Sequence, residues 1–239
     1  LLYPERIKKA EALFYRESTG NPILRQVRFK TLTEQIKSAT DAFLSHQKWD
    51  TCGLLGFSIS ICQLTSALYM IRRLKKRFPG LMVVIGGALT AGVSAHGILQ
   101  KFPEVDVAVN GEGEMPLYQI IQHLRQKPSD LNLSKIHGVC TRFNDTEQPD
   151  KPSFSQLKAL DELAAPDYDD YFGLLNSFDA PKFFFPTLPV EISRGCWWKR
   201  AVESTKVTGC AFCNLNLQWI GYRSKRVSRA VAENEHLID

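Results

Sequence analysis

The sequence predicts an α/β protein, a doubly wound parallel sheet followed by a second unit built around a cysteine cluster. Three observations carry this. Short apolar runs ending in glycine alternate with helical stretches between about residues 51 and 126. One of these runs, Leu81-Met82-Val83-Val84-Ile85, is continuously apolar, as strands covered on both faces of a parallel sheet are. Three of the six cysteines, Cys196, Cys210 and Cys213, fall within 18 positions of one another while the others are scattered.

The elements follow in order. Ile7, Ala10, Leu13 and Phe14 recur at helical spacing, as do Leu32, Ile36, Ala39 and Phe43, so residues 1–50 read as a helical segment. Cys52 to Ser60 is a short apolar run with two glycines, and a helix is expected from about Leu64 to Phe78, stopped by Pro79-Gly80. The strand Leu81–Ile85 ends at Gly86-Gly87, and a helix runs to about Phe102. The strand Val105–Val109 then ends at Gly111-Glu112-Gly113-Glu114, before a helix bearing Leu117, Ile120, Ile121 and Leu124. Strand–helix alternation of this kind is the signature of a doubly wound domain, placed at 51–135. Residues 136–188 read as a hairpin or small β appendage, over about 136–156, and then a linker rich in proline, aspartate and aromatics. A new unit, 189–239, opens at Pro189-Val190-Glu191-Ile192-Ser193.

Composition narrows the function classes. With 44% hydrophobic and 23% charged residues the chain can bury a core, and its net charge of +5 is modest. The basic runs Arg72–Arg77 and Arg223–Arg226 lack interleaved aromatics, so no nucleic-acid partner is expected. No apolar stretch is long enough to span a bilayer, so no membrane partner is expected either. The cysteine usage is not that of a secreted disulfide scaffold and places the chain in a reducing, cytoplasmic setting. The sequence opens Leu1-Leu2-Tyr3-Pro4-Glu5, without an initiator methionine or a signal-peptide pattern.

In open parallel sheets, ligands sit outside the carboxyl ends of the strands. Three such ends are identifiable: Ser58, Ser60 and Gln63 after the first strand, Gly86-Gly87-Ala88 after the second, and Gly111-Glu112-Gly113 after the third. Glycine there either lets a ligand lie against the main chain or simply makes a tight turn. Neither a G-x-G-x-x-G dinucleotide fingerprint nor a Walker motif is present.

The cysteines read C-x13-C-x2-C, after Arg194-Gly195. Three thiolates suit an iron–sulfur cluster with one iron left open. Zinc would want a fourth ligand, and His236 lies 23 residues beyond Cys213. A thioredoxin-like pair would open a helix directly after a strand, whereas Gly209 and a polar run precede this one. Iron–sulfur is favoured, with zinc and free thiols as the other readings. Cys52, Cys62 and Cys140 are expected as small buried apolar residues, with Cys62 the exception to watch.

The joint pattern of these residues resembles a known group. The strand-end glycines with Ser-x-Ser one strand earlier resemble the Rossmann-like cobalamin-binding domain found ahead of many radical S-adenosylmethionine enzymes. Asp-x-His-x-x-Gly is absent, so no histidine is proposed as a lower cobalt ligand. Leu160-Asp161-Glu162-Leu163, Pro166 to Phe172, Glu191-Ile192-Ser193-Arg194-Gly195-Cys196-Trp197-Trp198, Cys210-Ala211-Phe212-Cys213-Asn214-Leu215-Asn216 and Tyr222-Arg223-Ser224-Lys225 together resemble the "peptide maturation radical SAM protein 1" type, cobalamin-dependent enzymes that mature ribosomally made peptides (RiPPs). The insert Lys199 to Thr208 widens the first gap beyond theirs.

The resemblance implies that Cys196, Cys210 and Cys213 ligate a [4Fe–4S] cluster whose open iron binds S-adenosylmethionine, generating a 5′-deoxyadenosyl radical. It implies that Phe212 packs beside the adenine, that Ile61-Cys62-Gln63 lies near the lower corrin face and that Gly86-Gly87 lies near the cobalamin nucleotide tail. Residues 190–194 would be the first strand of a partial (β/α) barrel and Val227 to about Leu237 its first helix. The implied partners are a peptide substrate, C-methylated in one version, and an electron donor such as a flavodoxin or ferredoxin. Trp197 and Trp198 are expected to be core aromatics, with a substrate role as the alternative. Arg223 and Lys225 are expected to meet a carboxylate or an acidic leader peptide, or to be solvated. The barrel's later units are not in the sequence, so a fragment of a longer enzyme, or a split or degenerate form, is expected. The rival reading is a corrinoid- or partner-binding α/β module with structural zinc at the cysteines.

Overall fold

The computed structural model describes residues 4–127, 132–142, 153–179, 185–198, 202–203, 206–207 and 221–238. The chain divides into two compact units, Leu1–Leu55 with Thr65–Met82, and Gly56–Leu64 with Val83–Asp239.

The first unit is mainly helical. Helices α1 (Pro4–Glu17) and α3 (Phe29–His46) coincide with the two periodic stretches of the sequence. Between them, α2 (Pro22–Arg25) is started by Asn21, whose side chain accepts from the backbone N–H of Ile23 and Leu24. Leu44 of α3 packs with Leu74 and Leu81, and Trp49, Cys52, Leu55, Met70 and Phe78 close around them. The Trp49 indole N–H donates to the Leu44 carbonyl at 2.7 Å, fixing the turn that follows α3. Asp41 accepts from the Tyr69 hydroxyl and pairs with Arg73, both of which lie on α4 (Leu64–Arg77). Burial and the bond to Asp41 together push the Tyr69 phenol up. Leu13, Ile36 and Phe43, apolar by position, stay about half exposed.

A mostly parallel four-stranded sheet runs in the order β1-β2-β3-β4. The strands are β1 (Leu54–Ser58), β2 (Met82–Gly86), β3 (Val107–Val109) and β4 (Val139–Thr141). Helices α4, α5 (Ser94–Lys101) and α6 (Glu114–Gln126) follow the first three strands, matching the expected alternation. β2 and β3 run parallel, with Val84 opposite Val107 and Ile85 opposite Ala108. Met82 to Ile85 are all buried, which is why that stretch could be apolar without alternation. Ile85, Leu99, Val105, Val107, Ala108 and Ile120 make a core of nearly zero exposure. Asp106 locks the register, its carboxylate accepting from the Val83 N–H at 2.7 Å.

The segment read as a separate hairpin behaves differently. Val139–Thr141 joins the main sheet as an antiparallel edge strand, Cys140 lying opposite Ala108. Residues 143–152 lie outside the described ones. Helix α7 (Asp169–Ser177) falls within the expected linker.

The strand expected over 190–194 is β5 (Ser193–Arg194), paired antiparallel with β8 (Arg223–Ser224). Between them β6 (Val202–Glu203) and β7 (Lys206–Val207) pair antiparallel inside the Lys199–Thr208 insert. The helix expected from Val227 is α8 (Val227–Ile238). Among the described residues, no helix is long and apolar enough to cross a membrane.

Candidate functional site

At the end of β1, Ser60 and Gln63 form a capping box: the Gln63 side-chain oxygen accepts from the Ser60 N–H at 2.9 Å and from its hydroxyl at 3.0 Å. This starts the helix and leaves Ile61 and Cys62 exposed at the tip, so Cys62 is not the buried apolar residue expected of the isolated cysteines. The Cys62 thiol lies 3.3 Å from the Ser60 hydroxyl. Cys52 and Cys140 are half-buried, and burial pushes the Cys140 thiol up.

After β2, Gly87 adopts φ +96°, and a Cβ there would stand 2.8 Å from the Ile59 nitrogen. The Ile59 N–H donates to the Gly86 carbonyl at 2.7 Å, so glycine at 87 lets the ends of β1 and β2 meet. Ala88 opens the short turn that follows, closed by buried Thr90, whose hydroxyl reaches the Val109 and Gly87 carbonyls.

The end of β3 is covered by the chain itself. Ser155 bridges to Gly111; its N–H donates to the Asn110 carbonyl at 2.9 Å, and its carbonyl accepts from the Glu112 N–H at 2.8 Å. Asn110 extends this on both sides, its side-chain amide donating to the Ser153 carbonyl and its side-chain oxygen accepting from the Gly92 N–H. Of the sequence-assigned trio, Gly111 and Glu112 are thus engaged internally, and only Gly113 faces open space.

Glu112, 6% exposed, is the electrostatic centre of this region. Arg223 of β8 clasps its carboxylate with both guanidinium nitrogens and also donates to the Leu157 carbonyl at 2.5 Å. Arg194 of β5 lies 3.4 Å from the same carboxylate, and the Leu157 N–H donates to it at 2.6 Å. Arg194 also reaches Glu114 and Glu191, each at 2.6 Å. Burial pushes the Glu112 carboxyl up, but the hydrogen bonds from Arg223 and Leu157 and the charges of Arg223 and Arg194 outweigh it and hold the group below its usual range. Burial likewise lowers the Arg194 pKa, and its bonds to Glu191 and Glu114 more than reverse that.

A pH dependence follows from Glu112. A carboxyl whose folded pKa is depressed stabilises the fold above its unfolded pKa and loses that contribution as pH falls through the folded value. The urea midpoint of the wild type is therefore expected to drop below about pH 5 more steeply than that of Glu112→Gln. Parallel curves for the two proteins would sink this assignment.

Arg223 and Lys225 are not solvated. Lys225 is buried and its ammonium meets Glu233 of α8 at 2.5 Å, with Arg229 at 3.0 Å on the other carboxylate oxygen. Arg226 pairs with Asp161, tying α8 to the turn at Leu160–Glu162. The carboxylates that the basic run meets are the chain's own.

β5 leads through Gly195, at φ +84°, to Cys196, a free and partly exposed thiol. Cys210, Phe212 and Cys213 lie outside the described residues. Trp197 is 72% and Trp198 51% exposed, packed edge to face at 5.2 Å. They are a surface pair, not core aromatics, because the two-residue β5 ends before them and offers no sheet to bury them. Among the described residues no group of three or more His, Cys, Asp or Glu could hold a metal ion. The donor chemistry of Cys196 with the two later cysteines fits a thiolate-held cluster.

Sequence reasoning missed Asn110, Arg194 and Ser155 as organisers of the site. Only the placement of Arg194 two residues before Cys196 was a local signal.

No family model matches the chain. Over 143 residues it is 29% identical to the anaerobic magnesium-protoporphyrin IX monomethyl ester cyclase of Synechocystis sp.. The match covers 57% of this chain and 24% of that protein, so the chain spans about a quarter of the length of the curated relative it matches.

Proposed function

We propose that the chain is part of a radical S-adenosylmethionine enzyme of the cobalamin-dependent type, in which Cys196, Cys210 and Cys213 hold a [4Fe–4S] cluster. The observation that carries this is the thiolate triad C-x13-C-x2-C following Arg194-Gly195, in a chain that also matches a cyclase working anaerobically by name. Oxygen-sensitive clusters with an open iron suit such a setting.

When bound, the cluster supplies the electron that cleaves S-adenosylmethionine, and cobalamin a carrier for a methyl group. The chain's own residues have simpler tasks. Cys196 offers its thiolate from the end of the β5–β8 ladder. Phe212 would flank the adenine. Ser58, Ser60, Gln63, Gly86, Gly87 and Ala88 form the carboxyl edge of β1 and β2, where the exposed tip Ile61-Cys62 offers an apolar surface to a large ring. Because Ser155 covers Gly111, the cobalamin edge is narrower than the three-strand site expected from the sequence. The proposed substrate is a ribosomally made peptide, the proposed electron donor a flavodoxin or ferredoxin, and the proposed compartment the cytoplasm. The Synechocystis relative acts by name on a magnesium-protoporphyrin ester, which makes a tetrapyrrole ester the second substrate class to assay.

Anaerobic reconstitution with ferrous iron and sulfide tests the reading. The expected result is a broad visible thiolate-to-iron absorbance, with S-adenosylmethionine cleaved on reduction. One tightly held zinc per chain with no iron uptake would overturn it in favour of a structural metal. Retention of hydroxocobalamin through gel filtration tests the corrinoid part separately.

A further inference from the structure

We propose that Glu112 is the positioning residue of Cys196, gripping one arginine from each strand of the ladder that leads to it. The inference rests on the reading of Cys196 as a cluster ligand.

The β5–β8 ladder is only two pairs long, Ser193 opposite Ser224 and Arg194 opposite Arg223. So short a two-stranded ladder has little stability of its own. Its second pair sets two guanidinium groups directly across from each other, an arrangement that drives strands apart. Both side chains are about 85% withdrawn from water, at 16% and 15% exposure, so solvent does little to screen them. The Glu112 carboxylate, 4% exposed, removes the conflict by accepting from Arg223 while lying 3.4 Å from Arg194. Glu191 and Glu114 also hold Arg194, but among these carboxylates only Glu112 engages both strands.

Glu112 is itself fixed. Its N–H is held by Ser155, its carboxylate accepts from the Leu157 N–H, and it follows β3 at the edge of the buried core. The last turn before Cys196 is thereby referenced to the sheet rather than left to a two-pair ribbon. An outer group that orients a metal ligand in this way typically changes metal affinity by about 10–100-fold.

The experiment compares wild type and Glu112→Gln as apo proteins under limiting iodoacetamide, reading modification of Cys196 and Cys140 by peptide mass spectrometry. Cys140 sits in β4 and reports opening of the sheet. The expected result is Cys196 alkylated about tenfold faster in the variant with the Cys140 rate unchanged, and, after reconstitution, iron lost to a chelator faster by a similar factor. An unchanged Cys196 rate, or equal acceleration at Cys196 and Cys140, overturns the proposal. Should Glu112→Gln not fold, Arg223→Lys, which keeps the charge and loses the fork, is read on the same ratio, and a ratio equal to wild type overturns it. If the wild type takes up no iron, the cluster reading fails while the alkylation ratio still decides the role of Glu112.

Discussion

Alanine at Cys196 is expected to leave the reconstituted chain with little or no cluster iron, whereas alanine at Cys140 keeps it. A cubane held by three thiolates has one iron without a protein ligand, and losing one of the three leaves two of its four irons open to exchange and hydrolysis. Cys196 is anchored: Gly195 at φ +84° turns the chain out of β5, and Arg194 before it is held by three carboxylates. Cys140 is half-buried in β4 and belongs to the sheet, outside the proposed triad, so its loss is expected to remove one small side chain and leave the iron content unchanged. Iron and sulfide per chain after desalting, with the visible absorbance, measure the difference. Equal iron in the two variants would show that the metal is held elsewhere.

The second large effect is expected at Gly111. Alanine there is predicted to destabilise the fold by on the order of 3–5 kcal/mol, combining backbone strain at positive φ with overpacking against a fixed neighbour. Gly111 has φ +96°, and a Cβ would stand 2.3 Å from the Ser155 carbonyl oxygen and 2.7 Å from its nitrogen. Neither contact can be relieved by a rotamer change, because Ser155 is bonded through its backbone to Asn110 and Glu112. Gly113, two residues on, has φ −85° and nothing within 4 Å of a would-be Cβ, so Gly113→Ala is expected within about 0.5 kcal/mol of wild type. Urea unfolding of both variants checks the contrast. Similar losses at the two positions would mean that the Ser155 segment is not what requires glycine at 111.

These glycines also mark where sequence reading stops. A glycine at a strand end signals that something comes close, and at 87 and 111 something does. The neighbour is the chain's own backbone, Ile59 in one case and Ser155 in the other. No local pattern names a partner that arrives from dozens of residues away. The basic run Arg223 to Arg226 is similar: its charges were plain, but the partners Glu112, Glu233 and Asp161 come from three different elements. Trp197 and Trp198 mislead in the opposite sense, since large aromatics are usually covered and these follow a strand too short to cover them.

Helices α1 and α3, the alternation of β1 to β3 with α4 to α6, and the cysteine spacing were legible from local residues, because each rests on periodicity or chemistry within a few neighbouring positions. Three features could not be read locally: residues 139–141 complete the sheet, Ser155 closes the end of β3, and Glu112 joins two opposed arginines beside Cys196. Those features are pairings across long stretches of chain, fixed by which buried hydrogen bonds and charges can be satisfied together once the core has formed.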